Sequence, residues 1–414
     1  MLMRDDGHRY DTSPIPVRKH AVPEEKRNRP DRFRERRVPR WIYRIIAILA
    51  VSALAVLGWY NRANLQPENV LQWIKTSVVG MGIGDSYPKT FSGSSVAPGN
   101  FLCDDKNIVF ASDTALTVCN TTGKELLNVQ HSYAGPAVRA SGVRVLLYNL
   151  GGKDAEVETV GGGAVKLTVQ QNILGGALAA NGRSALISAA DGYCGMLTAF
   201  DASGKALSYY WFSNYYPTAI ALSPDGTKAA VTGVSAKDGG LVSAVYLISL
   251  DSGKTVQPET VCDGNLLSDV FWDTDRTVAA VGSTGAVFLD TFSGTKTDYG
   301  FAGSQLTAYC SDGGRLALGL MPYEGSQNQK LVVLDKSGNA VYTAKFSEKI
   351  RSVSLFGQTA AALSDGKVYF STLSTASGSA HACDAGSDSC AVALKDESSA
   401  YVLGISEVRL LNNH

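Results

Sequence analysis

From about residue 86 onward, short runs of alternating apolar and polar residues are broken by clusters of Gly, Asp, Asn and Ser. Alternation over so few positions is the pattern of half-buried strands, and the breakers supply the turns between them. Two families of turn recur. The first separates two strands: Asp104-Asp105-Lys106-Asn107, Ser141-Gly142, Asn181-Gly182, Asp225-Gly226, Asp273-Thr274-Asp275, Asp312-Gly313-Gly314, Gly357 and Glu397-Ser398-Ser399. Each precedes a small apolar strand such as IVFAS, RVLLYN or TVAAVGS. The second follows an apolar strand: Asn120 to Gly123, Asp201 to Gly204, Asp251 to Gly253, Asp290 to Gly294 and Asp335 to Gly338. There Gly supplies a positive φ and the Asp or Asn side chain bonds the turn backbone.

Successive turns of the first family lie roughly 40 residues apart, room for four strands, which is the repeat length of a propeller blade. The expected fold class is therefore all-β, a β-propeller over residues 86–414. Eight blades are expected, with seven as the alternative count, because the unit near residues 372–390 has a weak fourth strand. The last unit, CAVALKDESSAYVLGISEVRLL, holds only three strands. Tyr87–Phe91 is placed to supply its outer strand, which would close the ring and leave no open sheet edge.

Ahead of the repeats the pattern changes. Residues 45–60, IIAILAVSALAVLGWY, carry no charge. With Trp41, Ile42 and Tyr43 the run reaches about 20 residues, enough to cross roughly 30 Å of hydrocarbon as a helix. A single transmembrane helix is expected over 41–60, with Trp41, Tyr43, Trp59 and Tyr60 at its two interfaces. The basic region before it is far longer than a signal peptide's, and no small-x-small site follows Gly58, so the anchor is expected to stay uncleaved. Residues 1–40 are polar and Pro-broken and read as a disordered basic tail. Their Arg-rich end, RNRPDRFRERRVPR, faces only Arg62 and Lys75 beyond the helix. That asymmetry puts the N-terminus in the cytoplasm and the large domain outside the cell membrane. Residues 61–85 read as a short amphipathic helix, with Val70, Leu71, Ile74 and Val78 on one face, and a Gly-rich linker.

Charge sharpens this picture. Residues 1–40 hold twelve Lys/Arg against seven Asp/Glu, whereas residues 61–414 hold 25 against 31. An acidic outer domain argues against nucleic acid as a partner. Histidine is scarce: beyond the membrane segment there are only His131, His381 and His414. Neither a His-based metal cluster nor a Ser-His-Asp triad has the material it needs, and no catalytic residue, metal or cofactor is expected. Of seven cysteines, five lie singly in apolar runs as small buried hydrophobes. Cys383 and Cys390, seven residues apart in a Ser/Gly/Asp-rich stretch, are the candidate disulfide.

Leu222-Ser-Pro-Asp-Gly-Thr-Lys-Ala-Ala-Val231 resembles the turn of bacterial propellers of the surface-layer and TolB-like kind. The apolar-Asp-x-x-Gly-Lys turns resemble those of pyrroloquinoline-quinone-type and WD-repeat propellers. The single Trp272-Asp273 dipeptide lacks the Gly-His partner of a true WD repeat. With PENVLQW…GMGIGDSYP after the helix, the layout resembles a family of membrane-anchored bacterial extracytoplasmic propellers, from which no activity carries over. Candidate ligand-binding residues are Tyr209, Trp211, Tyr215 and Tyr216 in the aromatic run YYWFSNYYP, and Tyr323 in the long Met321–Lys330 loop. Alternate rings on an outer strand face opposite sides, so some should be exposed as platforms for a partner. The expected function is a non-enzymatic, membrane-anchored extracytoplasmic binding or scaffold module recognising an envelope protein or a cell-wall glycan. The alternative is a small-ligand sensor or hydrolase in the channel, which predicts carboxylates, or an Arg with aromatic rings, converging there.

Overall fold

The computed structural model describes residues 82–374 and 380–413, together with Ile42, Leu49, Val51 and Ser52 as isolated helical positions. The basic tail, the juxtamembrane helix and nearly all of the expected membrane span lie outside the described residues. Among the described residues no helix is long and apolar enough to cross a membrane. The chain divides into two units, 1–60 and 61–414.

The second unit is a propeller of eight antiparallel sheets. Blade 1 runs from strand Val96–Asp104 to Glu125–Gln130, and blade 2 from Pro136–Ser141 to Ala164–Thr168. Blade 3 runs from Ile173–Leu178 to Ala206–Phe212, and blade 4 from Tyr216–Leu222 to Thr260–Asp263. Blade 5 runs from Leu267–Phe271 to Lys296–Gly300, blade 6 from Gln305–Asp312 to Ala340–Phe346, and blade 7 from Ile350–Phe356 to His381–Asp384. Blade 8 takes Ala391–Asp396, Ser399–Leu403 and Glu407–Asn412 from the C-terminal end, and its outer strand is Lys89–Thr90. Lys89 pairs with Val408 and Thr90 with Glu407. The ring is closed by the segment that the missing fourth strand pointed to, and the eight-blade count holds over seven. The weak strand of blade 7 is real but short, the four residues His381–Asp384.

Both turn families form as their chemistry dictates. Asn120 Oδ1 accepts the Thr122 and Lys124 N–H groups, and Asp201 Oδ1 those of Ser203 and Lys205. Asp335 Oδ1 accepts those of Ser337 and Asn339. Gly123 closes its turn at φ +78°, where a side chain would be strained.

Eight apolar clusters fill the eight seams between blades, each built from two successive blades. In the seam of blades 2 and 3, Leu146 and Val157 meet Ile173, Leu186 and Phe200. In the seam of blades 8 and 1, Ala391, Tyr401 and Val408 meet Phe101, Ile108 and Phe110. A repeat unit cannot bury both sheet faces alone, so the ring is held by these seams.

A polar belt reinforces them at the turns between first and second strands. Arg144 Nη1 donates to the Ala180 carbonyl at 3.0 Å, and Asn181 Nδ2 to the Asp225 carbonyl at 2.9 Å. Ser311 bonds Asp273, Arg315 the Gly357 carbonyl, and the Gln358 N–H Glu397. The Tyr401 hydroxyl donates to the Lys106 carbonyl at 2.9 Å, linking blade 8 to blade 1.

Candidate functional site

The first strands pack on one another around the axial channel and form the innermost ring, and between blades 5 and 6 they meet through the Phe271 and Tyr309 rings. In blades 3 to 7 the pairing of first strand to second slips register once near its start. Such a bulge re-aims the side chains that follow it. In blade 5 the slip lies between Leu267 and Asp269.

Asp269 is brought there to Tyr309 of blade 6 and into the field of Arg139 of blade 2. The Val270 N–H donates to the Asp269 carboxylate at 2.9 Å, and the Tyr309 hydroxyl is in its neighbourhood. Phe271 meets the Tyr309 ring edge-on, centroids 6.0 Å apart. Burial pushes the Asp269 carboxyl above the usual range, and the Arg139 charge offsets this in part. Tyr309 is pushed up to about 12, first by burial and then by the carboxylate beside it. Arg139 Nη1 donates to the Val138 carbonyl at 2.8 Å. Among the described residues no ion pair of 4.0 Å or less joins Arg139 to Asp269. Such a group can hold a small polar molecule by charge and hydrogen bonds at once.

The sequence-derived aromatic residues are divided by the fold. On the outer strand of blade 3, Ser208, Tyr210 and Phe212 face the seam with blade 4, where Tyr210 and Phe212 contact Tyr246. Leu207, Tyr209 and Trp211 face outward, Tyr209 and Trp211 each keeping nearly half their surface exposed. Tyr193, from the neighbouring hairpin, extends the row: centroids are 6.4 Å from Tyr193 to Trp211 and 5.9 Å from Trp211 to Tyr209.

Tyr215 does not join this row. The strand ends at Phe212, and the following turn directs the Tyr215 ring onto Tyr246, 6.0 Å away, where it serves the blade 3–4 core. Tyr216 is exposed but begins the first strand of blade 4. Tyr323 is exposed alone on blade 6, in a turn closed by the Ser326 N–H on its carbonyl.

Cys383 and Cys390 are free thiols in this structure, and the expected disulfide is absent. The fold separates them: Cys383 lies on the outer strand of blade 7, whereas Cys390 directly precedes the innermost strand of blade 8. The Cys390 thiol donates to the Asp388 carbonyl at 3.3 Å, and Cys383 Sγ sits 3.6 Å from His381 Nδ1. His131 lies in the loop after blade 1, its Nδ1 accepting the Tyr133 N–H. Among the described residues no three or more His, Cys, Asp or Glu side chains gather to hold a metal ion.

Arg139, Asp269, Tyr309 and Tyr193 were not singled out from sequence. For Asp269 the signal was there: a carboxylate inside the strand LSDVF, away from any Gly-flanked turn.

Solved propellers share this architecture at low identity. The C-terminal WD40 domain of Sif2 is 10% identical, with a TM-score of 0.57 covering 79% of this chain and 98% of that one. BamB from Moraxella catarrhalis is 12% identical, with a TM-score of 0.50 covering 79% of this chain and all of that one. At such identities the likeness is one of fold. No curated protein matches in sequence. A family model does match, over residues 87–401, nearly the whole ring from the closing strand to blade 8, and the chain belongs to this family of unknown function, DUF5711.

Proposed function

We propose that the protein is a membrane-anchored, extracytoplasmic, non-enzymatic binding module whose partner, an envelope protein or a cell-wall glycan, docks on the aromatic row of blade 3. The observation that carries this reading is the row itself. Trp211 contacts both Tyr193 and Tyr209, and all three stand outside every seam core and hold much of their surface in solvent. Rigid amphipathic rings of this kind lose little entropy on binding and dominate many interfaces. The charge-free run at 45–60 and the Arg-rich stretch before it support the anchor and its direction. The outward helical residues Leu49 and Val51, both apolar and exposed, fit a lipid-facing helix.

The test is cross-linking in cells followed by mass spectrometry, with the full chain carrying Tyr209→Ala and Trp211→Ala together. Loss of a specific envelope partner with an unchanged melting temperature is expected. A double variant that retains its cross-links overturns the assignment.

A second reading, ligand sensing inside the ring, has its own support. Asp269 and the rings of Phe271 and Tyr309 lie on the innermost strands of blades 5 and 6, where the two rings meet, and the charge of Arg139 on blade 2 acts on the Asp269 carboxyl.

A further inference from the structure

We infer that a cleft between blades 5 and 6 binds a small phosphorylated polyol, its phosphate held by Arg276 and Lys336 and its alcohol groups by the hydroxyls around them. The cleft shares no residue with the docking surface of blade 3 or with the channel.

The first ground is the cavity itself. A cleft of about 580 Å³ is lined by residues of three turns. Asp273–Arg276 joins the first two strands of blade 5, Asp290–Thr295 its last two, and Asp335–Asn339 the last two of blade 6. The first and third strands of an antiparallel blade run the same way, so these turns emerge at one end of the ring. The two blades touch there. A Cβ at Gly314 of blade 6 would lie 2.6 Å from Thr274 Cγ2 and 3.6 Å from Lys336 Cβ, so Thr274 of one blade and Lys336 of the other flank one glycine. A volume of this order suits a small molecule rather than a protein segment.

The second ground is what the two cations leave unspent. Arg276 gives its Nε–H to Asp290 Oδ2 at 2.5 Å, and among the described residues its guanidinium has no other bond. Its side chain keeps 67% of its surface exposed, and a guanidinium presents five N–H donors in a flat fork suited to phosphate. Lys336 lines the same cleft and has no hydrogen bond or ion pair among the described residues. Asp290 does not cancel these donors. Its Oδ1 accepts the Phe292 and Ser293 N–H groups and its Oδ2 the Arg276 Nε–H, so both oxygens are already occupied.

The third ground is the hydroxyl lining. Thr274 Oγ1 accepts the Thr277 N–H at 3.1 Å, and Thr295 Oγ1 accepts from the Ser293 hydroxyl at 2.9 Å. Both threonines are acceptors within their turns and keep their own O–H protons for a ligand. The Asp275 carboxylate lines the cleft as well. A carboxylate repels a bare anion but accepts from an alcohol, so the cleft favours a molecule that carries hydroxyls beside its phosphate.

The experiment uses the full-length protein in detergent micelles and phosphate-free buffer, with calorimetry and thermal shift. The probes are glycerol 3-phosphate and glucose 6-phosphate, compared with glycerol, glucose, inorganic phosphate and the diester glycerophosphoglycerol. At least one of the two monoesters is expected to bind, with its bare alcohol and inorganic phosphate each weaker by about tenfold or more. The diester, which carries one negative charge in place of nearly two and stands for a lipid headgroup or a polymer, should be weaker severalfold. Lys336→Gln and Arg276→Gln should each weaken the monoester about tenfold. Should Arg276→Gln fail to fold, Arg276→Lys keeps a charge beside Asp290 without the fork and should weaken binding severalfold. Asp275→Asn should narrow the gap between the monoester and inorganic phosphate, and Trp211→Ala should change nothing. Absence of binding by both monoesters at millimolar concentration overturns the inference. So does a bare alcohol, inorganic phosphate or the diester that binds as tightly as the monoester, or wild-type affinity in the folded Lys336 and Arg276 variants. Cross-linking at blade 3 reads none of these outcomes, so this inference and the docking reading fail separately.

Discussion

Two groups of aromatic side chains in this ring use the same contact geometry to opposite ends. In the seam that closes blade 8 on blade 1, Tyr87 lies 5.3 Å from Tyr401 and Phe91 lies 5.9 Å from Phe110, ring centroid to centroid. On the outer edge of blade 3, Trp211 lies 5.9 Å from Tyr209 and 6.4 Å from Tyr193. The spacings nearly coincide, but the first group is packed into the closing core and the second stands in solvent. Both Tyr hydroxyls of the closing seam are also spent inside the protein, Tyr401 on the Lys106 carbonyl and Tyr87 on the Asn120 carbonyl. Aromatic clustering alone therefore does not mark a binding surface. What distinguishes blade 3 is that no neighbouring blade covers its row.

The sharpest way to break this contrast is to cut into the closing seam. Tyr401 is fully buried, and Tyr401→Ala should destabilise the propeller by about 3–5 kcal/mol, read from denaturant unfolding. A loss below about 1 kcal/mol would mean that the seam does not hold the ring.

Gly123→Ala tests the chain segment that feeds the closing strand. At φ +78° a new Cβ would lie 2.6 Å from the Ser86 carbonyl oxygen, and a loss of about 1–3 kcal/mol is expected.

The effect of Asp104→Asn has the opposite sign. Burial pushes the Asp104 carboxyl up to about 6, and its Oδ2 lacks a hydrogen-bond partner. A carboxyl raised in the folded state stabilises the fold while protonated. That contribution is whole below the unfolded value of about 4 and is lost as pH rises through about 6. Asn is neutral throughout and keeps the shape of the carboxyl. The variant should gain about 1–2 kcal/mol over the wild type above pH 6, a gain that vanishes in acid, as pH-dependent melting would show.

The smallest effect on stability belongs to the blade 3 row. Trp211→Ala should cost about 1 kcal/mol or less, because the ring closes no core. A cost as large as that at Tyr401 would make the row structural.

The turns made the propeller legible in sequence. Asp201, Asp290 and Asp335 bind turn backbones because short carboxylates do so wherever Gly follows closely, independent of tertiary context. The missing strand of blade 8 was legible for the same local reason. The blade count was less clear because His381-Ala-Cys-Asp384 lacks apolar alternation: it is a short outer strand with one face in solvent.

The channel was not legible. Arg139 and Asp269 lie far apart in the chain, and only closure of the ring lets the charge of one act on the other. The rule that places carboxylates in turns fails at Asp269, whose environment is set by blades 2 and 6. The direction of the Tyr215 ring was not legible for a related reason: composition locates an aromatic run, but the end of the strand at Phe212 decides which rings turn inward.

The most direct test of the docking claim places a photo-activatable amino acid at residue 211 of the full chain in living cells. A second chain carries it at residue 292, where Phe292 is 90% exposed on blade 5 outside the aromatic row. The account predicts a discrete envelope adduct from position 211 and none from 292. Equal labelling from both positions, or no adduct from 211, would contradict it.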